Sequence, residues 1–169
     1  MKMMHCALLL ALATAPAAAV TCQNNLPASN PDSSYRISGD GVLTHVPTGL
    51  IWKRCAEGQT WTGTTCTGSV DGYDWATALA VAEASTFAGR TDWRLPNIKE
   101  LRSLVEECRS APPINDTLFP NTPVFSFWSS TPRMHQPGTG WLVFFTNSGG
   151  LGGTSFIGML QVRLVRGGQ

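Results

Sequence analysis

The chain has 169 residues, 43 % of them hydrophobic, with 12 Lys and Arg set against 11 Asp and Glu. That length supports one domain with a real core. The balanced charge excludes the basic excess that nucleic-acid binding normally demands.

Lys2, the apolar residues 7–12 and the small Ala17-Ala18-Ala19 read as a signal peptide over residues 1–19. The apolar run is too short to span a bilayer and no later segment reaches that length, so no membrane insertion is expected. A lipoprotein acylated at Cys22 is set aside, because Val20 and Thr21 are not the small residues lipidation favours. Loss of Lys2 leaves 11 basic residues (12 less one) facing 11 acidic ones. Residues 20–34, rich in Asn, Pro and Ser, form an extended leader held by Cys22. The compact domain is expected over 35–168.

Strands are expected at 35–38, 42–45 and 50–54, separated by the turn chemistry of Gly39-Asp40-Gly41 and Pro47-Thr48-Gly49. Trp52 faces the core. Asp74 caps a helix over 75–88, with Gly89 just past its end. Asn97, with Glu100 three residues on, caps a second helix over 98–108. Ile98, Leu101, Leu104, Val105 and Cys108 share one face of it at helical spacing, and Pro112-Pro113 closes the segment. The last third reads as strands at 127–131, 140–146 and 156–166, joined by long Gly- and Pro-rich loops. Cys22, Cys55, Cys66 and Cys108 remain after cleavage, and an even number in an exported chain implies disulfides, with three possible connectivities. Cys55–Cys66 is the natural pair across a short loop, which leaves Cys22–Cys108.

A set of motifs runs in order along this frame: Thr48-Gly49-Leu50-Ile51-Trp52, Asp92-Trp93-Arg94-Leu95-Pro96 with Lys99-Glu100-Leu101, Phe127-Trp128-Ser129-Ser130, Trp141, and Val162-Arg163-Leu164-Val165-Arg166. The pattern resembles the C-terminal domain of the Legionella collagen-like adhesin, over roughly 35–168. The resemblance implies an α+β, C-type-lectin-like fold of two helices packed on small antiparallel sheets, stabilised by disulfides. It also implies an adhesin-like binding role toward sulfated or other anionic glycans. Relatives of that fold diversify their C-terminal segment, which corresponds here to residues 133–160. The collagen-like repeat of the adhesin is absent from this sequence.

Trp52, Asp92, Trp93, Arg94, Trp128 and Arg163 read as scaffold, with Arg94 satisfying a carboxylate or backbone carbonyls through its planar fork. Calcium-dependent sugar recognition in the last third is not expected. Gln136-Pro137-Gly138 and Trp141-Leu142-Val143 lack the acids it needs, and no Asp or Glu follows Asp116. No metal or cofactor is expected. An enzyme of the formylglycine-generating type is the catalytic alternative, but it requires thiols near the C-terminal region and no cysteine lies beyond Cys108. A Ser129–His135 or Cys108–His135 dyad lacks any orienting motif, so a non-enzymatic protein is the reading.

Arg133, Met134, His135, Trp141, Phe144, Asn147 and Phe156 form the candidate ligand-binding set. Aromatic rings stack on sugars or anchor protein partners, and Arg adds directional donors. Strand alternation places Leu142 and Phe144 on one side and Trp141, Val143 and Phe145 on the other, with one face exposed. The expected partner is a glycan, or else a surface protein bound by a diversified C-terminal surface. The expected location is the periplasm, the exterior or the cell surface.

Overall fold

The computed structural model describes residues 22–23, 26–146 and 149–168. The expected signal peptide and Asn147 lie outside the described residues. The architecture is α+β. Strands β1 (Tyr35–Ile37), β2 (Val42–His45), β3 (Ile51–Lys53) and the late β9 (Val165–Arg166) form a four-stranded sheet in the order β1-β2-β3-β9. A two-stranded ribbon, β4 (Thr60–Trp61) and β5 (Cys66–Thr67), spans the loop closed by the Cys55–Cys66 disulfide. Strands β6 (Ser126–Pro132), β7 (Thr139–Phe144) and β8 (Leu151–Ser155) make a three-stranded antiparallel sheet. The helices are α1 (Trp75–Glu83) and α2 (Ile98–Arg102).

The three-stranded sheet is covered on both sides. Phe127, Val143 and Phe145 pack with Leu101, Leu104 and Val105 from the α2 region. On the opposite face Trp128 and Leu142 pack with Ala78 and Ala82 of α1 and with Trp93 and Leu95. The sides of β7 are those expected, but the single exposed face is not observed. Leu142 and Val143 are both buried, while Trp141 is half-buried and Phe144 exposed. Each face is packed by a helical segment and each keeps one accessible aromatic, Trp141 on the side of Val143 and Phe144 on the side of Leu142.

Both helices start where expected and stop early. The Asp74 carboxylate accepts the Thr77 amide at 2.7 Å. Asn97 and Glu100 form a complete capping box. Beyond Arg102 the chain leaves the helix: the Glu106 amide bonds the Pro113 carbonyl at 2.9 Å, and Val105 bridges Ile114. The apolar spacing out to Cys108 therefore reflects burial without helix. After Glu83 a separate 3-10 turn (Phe87–Gly89) holds Ala88 at φ 53°, which ends any continuous helix there. The strand expected over 156–166 is also corrected. β8 lies earlier, in the glycine-rich stretch, and residues 156–164 run irregularly to β9.

The Asp92–Leu101 segment joins the two ends of the domain. Arg94 grips Glu100 with two bonds of 2.7 and 2.8 Å and donates to the Gly167 carbonyl at 2.9 Å. The Asp92 carboxylate accepts from Arg166 at 2.7 Å. Trp93 is buried, its indole N–H on the Phe87 carbonyl at 2.8 Å. Arg163 is fully buried, donating to the carbonyls of Lys53 and Arg54 and to Thr122 Oγ1, with Phe119 and Phe127 against its guanidinium. Burial pushes its pKa down, to about 9, so it remains a cation at neutral pH. Trp52 and Trp128 are buried in the two cores.

The leader is tied down by the Cys22–Cys108 disulfide, by Asn115, which donates to the Asn30 carbonyl at 3.0 Å and to the Asp32 carboxylate at 2.7 Å, and by the buried Glu106. Glu106 accepts the Ser29 amide at 2.7 Å and hydroxyl at 2.8 Å, and the Asn30 amide at 2.8 Å. Burial pushes this carboxyl up, yet the bonds from Ser29, Asn30 and Cys108 together hold it below its ordinary value.

Candidate functional site

The β6–β7 hairpin opens beyond a bulge. Trp128 pairs with Leu142 and Pro132 with Gly140, so β6 carries extra residues between these pairs and its tip is thrown outward. Ser129 fixes the joint: its hydroxyl donates to the Trp141 carbonyl at 2.8 Å and its carbonyl accepts the Trp75 indole N–H at 2.9 Å. The tip turns back through the Arg133 amide on the Thr139 carbonyl and the Gln136 amide on the Arg133 carbonyl.

Residues 131–136 and Trp141 line a cleft of about 390 Å³ in this turn. The Arg133 guanidinium lies over the Trp141 ring, 4.8 Å from its centroid. It reaches that position by crossing Gly153 of β8, directly opposite Trp141 in register. A Cβ at Gly153 would stand 2.3 Å from Arg133 Cδ, so the absence of a side chain there admits the arginine. Gly152 has the same relation to the other face, where a Cβ would strike the Phe144 ring at 2.5 Å.

Three arginines follow Asp116. Arg163 and Arg166 are engaged by scaffold carbonyls and by Asp92, respectively. Among the described residues no carboxylate or carbonyl engages the Arg133 side chain. His135 and Met134 are exposed on the rim, Met134 at 84 %. A cation over an indole, with its donors open, suits a ligand presenting an anionic oxygen beside an apolar ring face.

The candidate set therefore divides. Arg133, Met134, His135 and Trp141 come together. Phe144 lies on the opposite face of β7, over Gly152. Phe156 stacks on Trp75 at 4.3 Å, beside α1. Asn147 lies outside the described residues. Thr131 and Gln136 line the cleft without having been singled out from sequence; their position beside Arg133 in a Pro/Gly-flanked turn was the available signal. Ser129 is buried with its hydroxyl on a backbone carbonyl, and Cys108 is in a disulfide. Among the described residues the one close grouping of metal-ligating types is Cys22, Glu106 and Cys108, and its two cysteines are joined to each other. No helix among the described residues is long and apolar enough to cross a membrane.

Fold and cleft together define a disulfide-stabilised α+β domain that carries an arginine–tryptophan cleft on a hairpin tip. Comparison with protein families matches residues 41–166 to the Lcl C-terminal domain. The chain belongs to the Lcl C-terminal domain family. A comparison with curated proteins finds no match.

Proposed function

We propose that this chain is an exported, adhesin-like binding module with a C-type-lectin-like scaffold, and that it takes an anionic glycan into the cleft between Thr131 and Trp141. The observation that carries this reading is Arg133, whose guanidinium lies over Trp141 and meets no carboxylate or carbonyl among the described residues, in a chain whose last acidic residue is Asp116. The arginine supplies paired donors to a sulfate or carboxylate, and the indole supplies a flat apolar surface to a sugar ring. His135 and Gln136 add polar groups on the rim. Family membership and the two disulfides, which suit an oxidising compartment, support the same reading. A binding role is favoured over catalysis. The buried Ser129 hydroxyl and the disulfide-bonded Cys108 have no place in a nucleophilic mechanism.

Titration with sulfated oligosaccharides tests it. Arg133→Ala removes a charge-assisted contact worth about 1.5–3 kcal/mol, a loss of about tenfold to a hundredfold in affinity. Trp141→Ala is expected to weaken binding by a similar factor. The loss on Arg133→Ala should come with an unchanged melting temperature, and wild-type binding should weaken as salt is added. Sugar binding that survives both substitutions removes the ligand from this cleft. Capture of an envelope protein with no sugar binding transfers the cleft to protein recognition.

A further inference from the structure

The two disulfides sit in unlike electrostatic surroundings. Cys55 directly follows Lys53 and Arg54, and both Cys55 and Cys66 are buried. Cys108 has a carboxylate against it instead. Glu106 Oε1 stands 3.1 Å from Cys108 Sγ, and both residues are fully buried. Among the described residues no Lys, Arg or His forms an ion pair with Glu106. Its partners are the Ser29 amide and hydroxyl, the Asn30 amide and the Cys108 amide, neutral donors that hold it below its ordinary value and so keep it ionised. The nearby Tyr35 phenol is pushed up by burial and by this same charge, and stays neutral. The carboxylate therefore faces the bridge with no cation to offset it.

Access to the bridge is one-sided. Cys22 is half-buried and Cys108 fully buried, so an incoming thiolate reaches the Cys22 sulfur. Attack there joins the reagent sulfur to Cys22 Sγ and breaks the Cys22–Cys108 bond. The electron pair goes to Cys108 Sγ, which leaves as a thiolate. A second reagent thiolate then displaces the first from Cys22. The protein ends with two thiols and the reagent as its own disulfide. Such exchange slows as the leaving thiol becomes harder to ionise. Here the new charge forms in a buried place, 3.1 Å from an existing one of the same sign.

We propose that Glu106 guards the Cys22–Cys108 bridge against exchange with small thiols, by making Cys108 an unfavourable leaving group. The side chain that holds the leader by hydrogen bonds also keeps its covalent tie closed. The guard is electrostatic, so it acts on the rate of bond breaking and not through access alone.

Exchange of the oxidised protein with 2-mercaptoethanol tests this, each bridge being followed by alkylation and peptide mass mapping. Cys55–Cys66 in the same sample is the reference. Glu106→Gln should speed cleavage of Cys22–Cys108 about tenfold or more relative to that reference. Asn115→Ala loosens the leader differently: it removes the bonds to the Asn30 carbonyl and the Asp32 carboxylate and leaves Glu106 in place. It should speed cleavage less than about threefold. Reagent charge gives a second readout at fixed pH and low salt. The ratio of the cysteamine rate to the mercaptoacetate rate at Cys22–Cys108 should fall in Glu106→Gln, because a buried anion favours the cationic thiol over the anionic one. Equal acceleration by the two substitutions, a Glu106→Gln rate that matches wild type, or a reagent ratio that Glu106→Gln leaves unchanged overturns the proposal. No ligand enters any arm, so the outcome is independent of the cleft.

Discussion

Glu106 shows how one side chain can hold a segment that has little structure of its own. The leader near Ser29 contributes few apolar contacts, and the carboxylate replaces them with a cluster of charge-assisted bonds. The carboxyl's folded pKa lies below its unfolded value near 4.5. Its contribution to stability is therefore complete above the unfolded value and is lost as pH falls through the lower, folded one. Glu106→Gln keeps the shape, loses the charge, and should cost about 1–3 kcal/mol near neutral pH. Urea unfolding of both proteins tests this: the difference should be largest near pH 7 and shrink as the pH falls below the unfolded value. A gap that does not close on acidification contradicts the assignment. Nothing local to Glu106 marks this role, because its partners in the leader lie more than seventy residues earlier. Arg133 was legible for the opposite reason, since its Pro- and Gly-flanked setting is written in the adjacent residues.

At the scale of elements, the features read from sequence are those with local causes. Asp74, Asn97 and Glu100 announce helix starts because a cap and its amide sit within three residues. Val42–His45 falls between two turns whose residues mark them. The helix ends were misplaced because tertiary bonds, Glu106 to Pro113 among them, take the chain over before the apolar spacing runs out. β8 was missed because Leu-Gly-Gly-Thr-Ser has little strand propensity, and β7 is what makes it a strand. The α2 cap gives a graded test. Asn97→Ala should lower stability by about 1 kcal/mol. Glu100→Gln should lower it more, by about 2–3 kcal/mol, because the same carboxylate caps Asn97 and holds both Arg94 nitrogens. Thermal melts in which Asn97→Ala is the more damaging would reverse that ranking.

Over the whole molecule, the strands, the two helices and the two disulfides were read from turn chemistry, caps and cysteine count and the α+β class was implied by the family resemblance, while the double-sided burial of the β6–β7–β8 sheet was not foreseen. Alternation along β7 shows two faces, but only the packed chain shows a helix over each. The Cys22–Cys108 bridge spans 86 residues. It stabilises by about 4–5 kcal/mol on the chain-entropy account, against about 3 kcal/mol for the shorter Cys55–Cys66 loop. With both cores behind it, the hairpin tip beyond Thr131, whose hydroxyl accepts the Ile98 amide at 3.0 Å, has freedom to vary.

That freedom has one limit, imposed by the bare backbone at Gly153. Arg133 occupies the space a side chain there would fill, with Cδ 2.3 Å from the position of the missing carbon. The two positions thus share one volume across neighbouring strands, and evolution must trade them together. Relatives that keep arginine at 133 should keep glycine at 153, and those with a larger residue at 153 should carry a short one at 133. An alignment pairing bulky residues at both would contradict this. Ligand preference in this family would then drift through coupled changes, one of them at a residue that never meets the ligand.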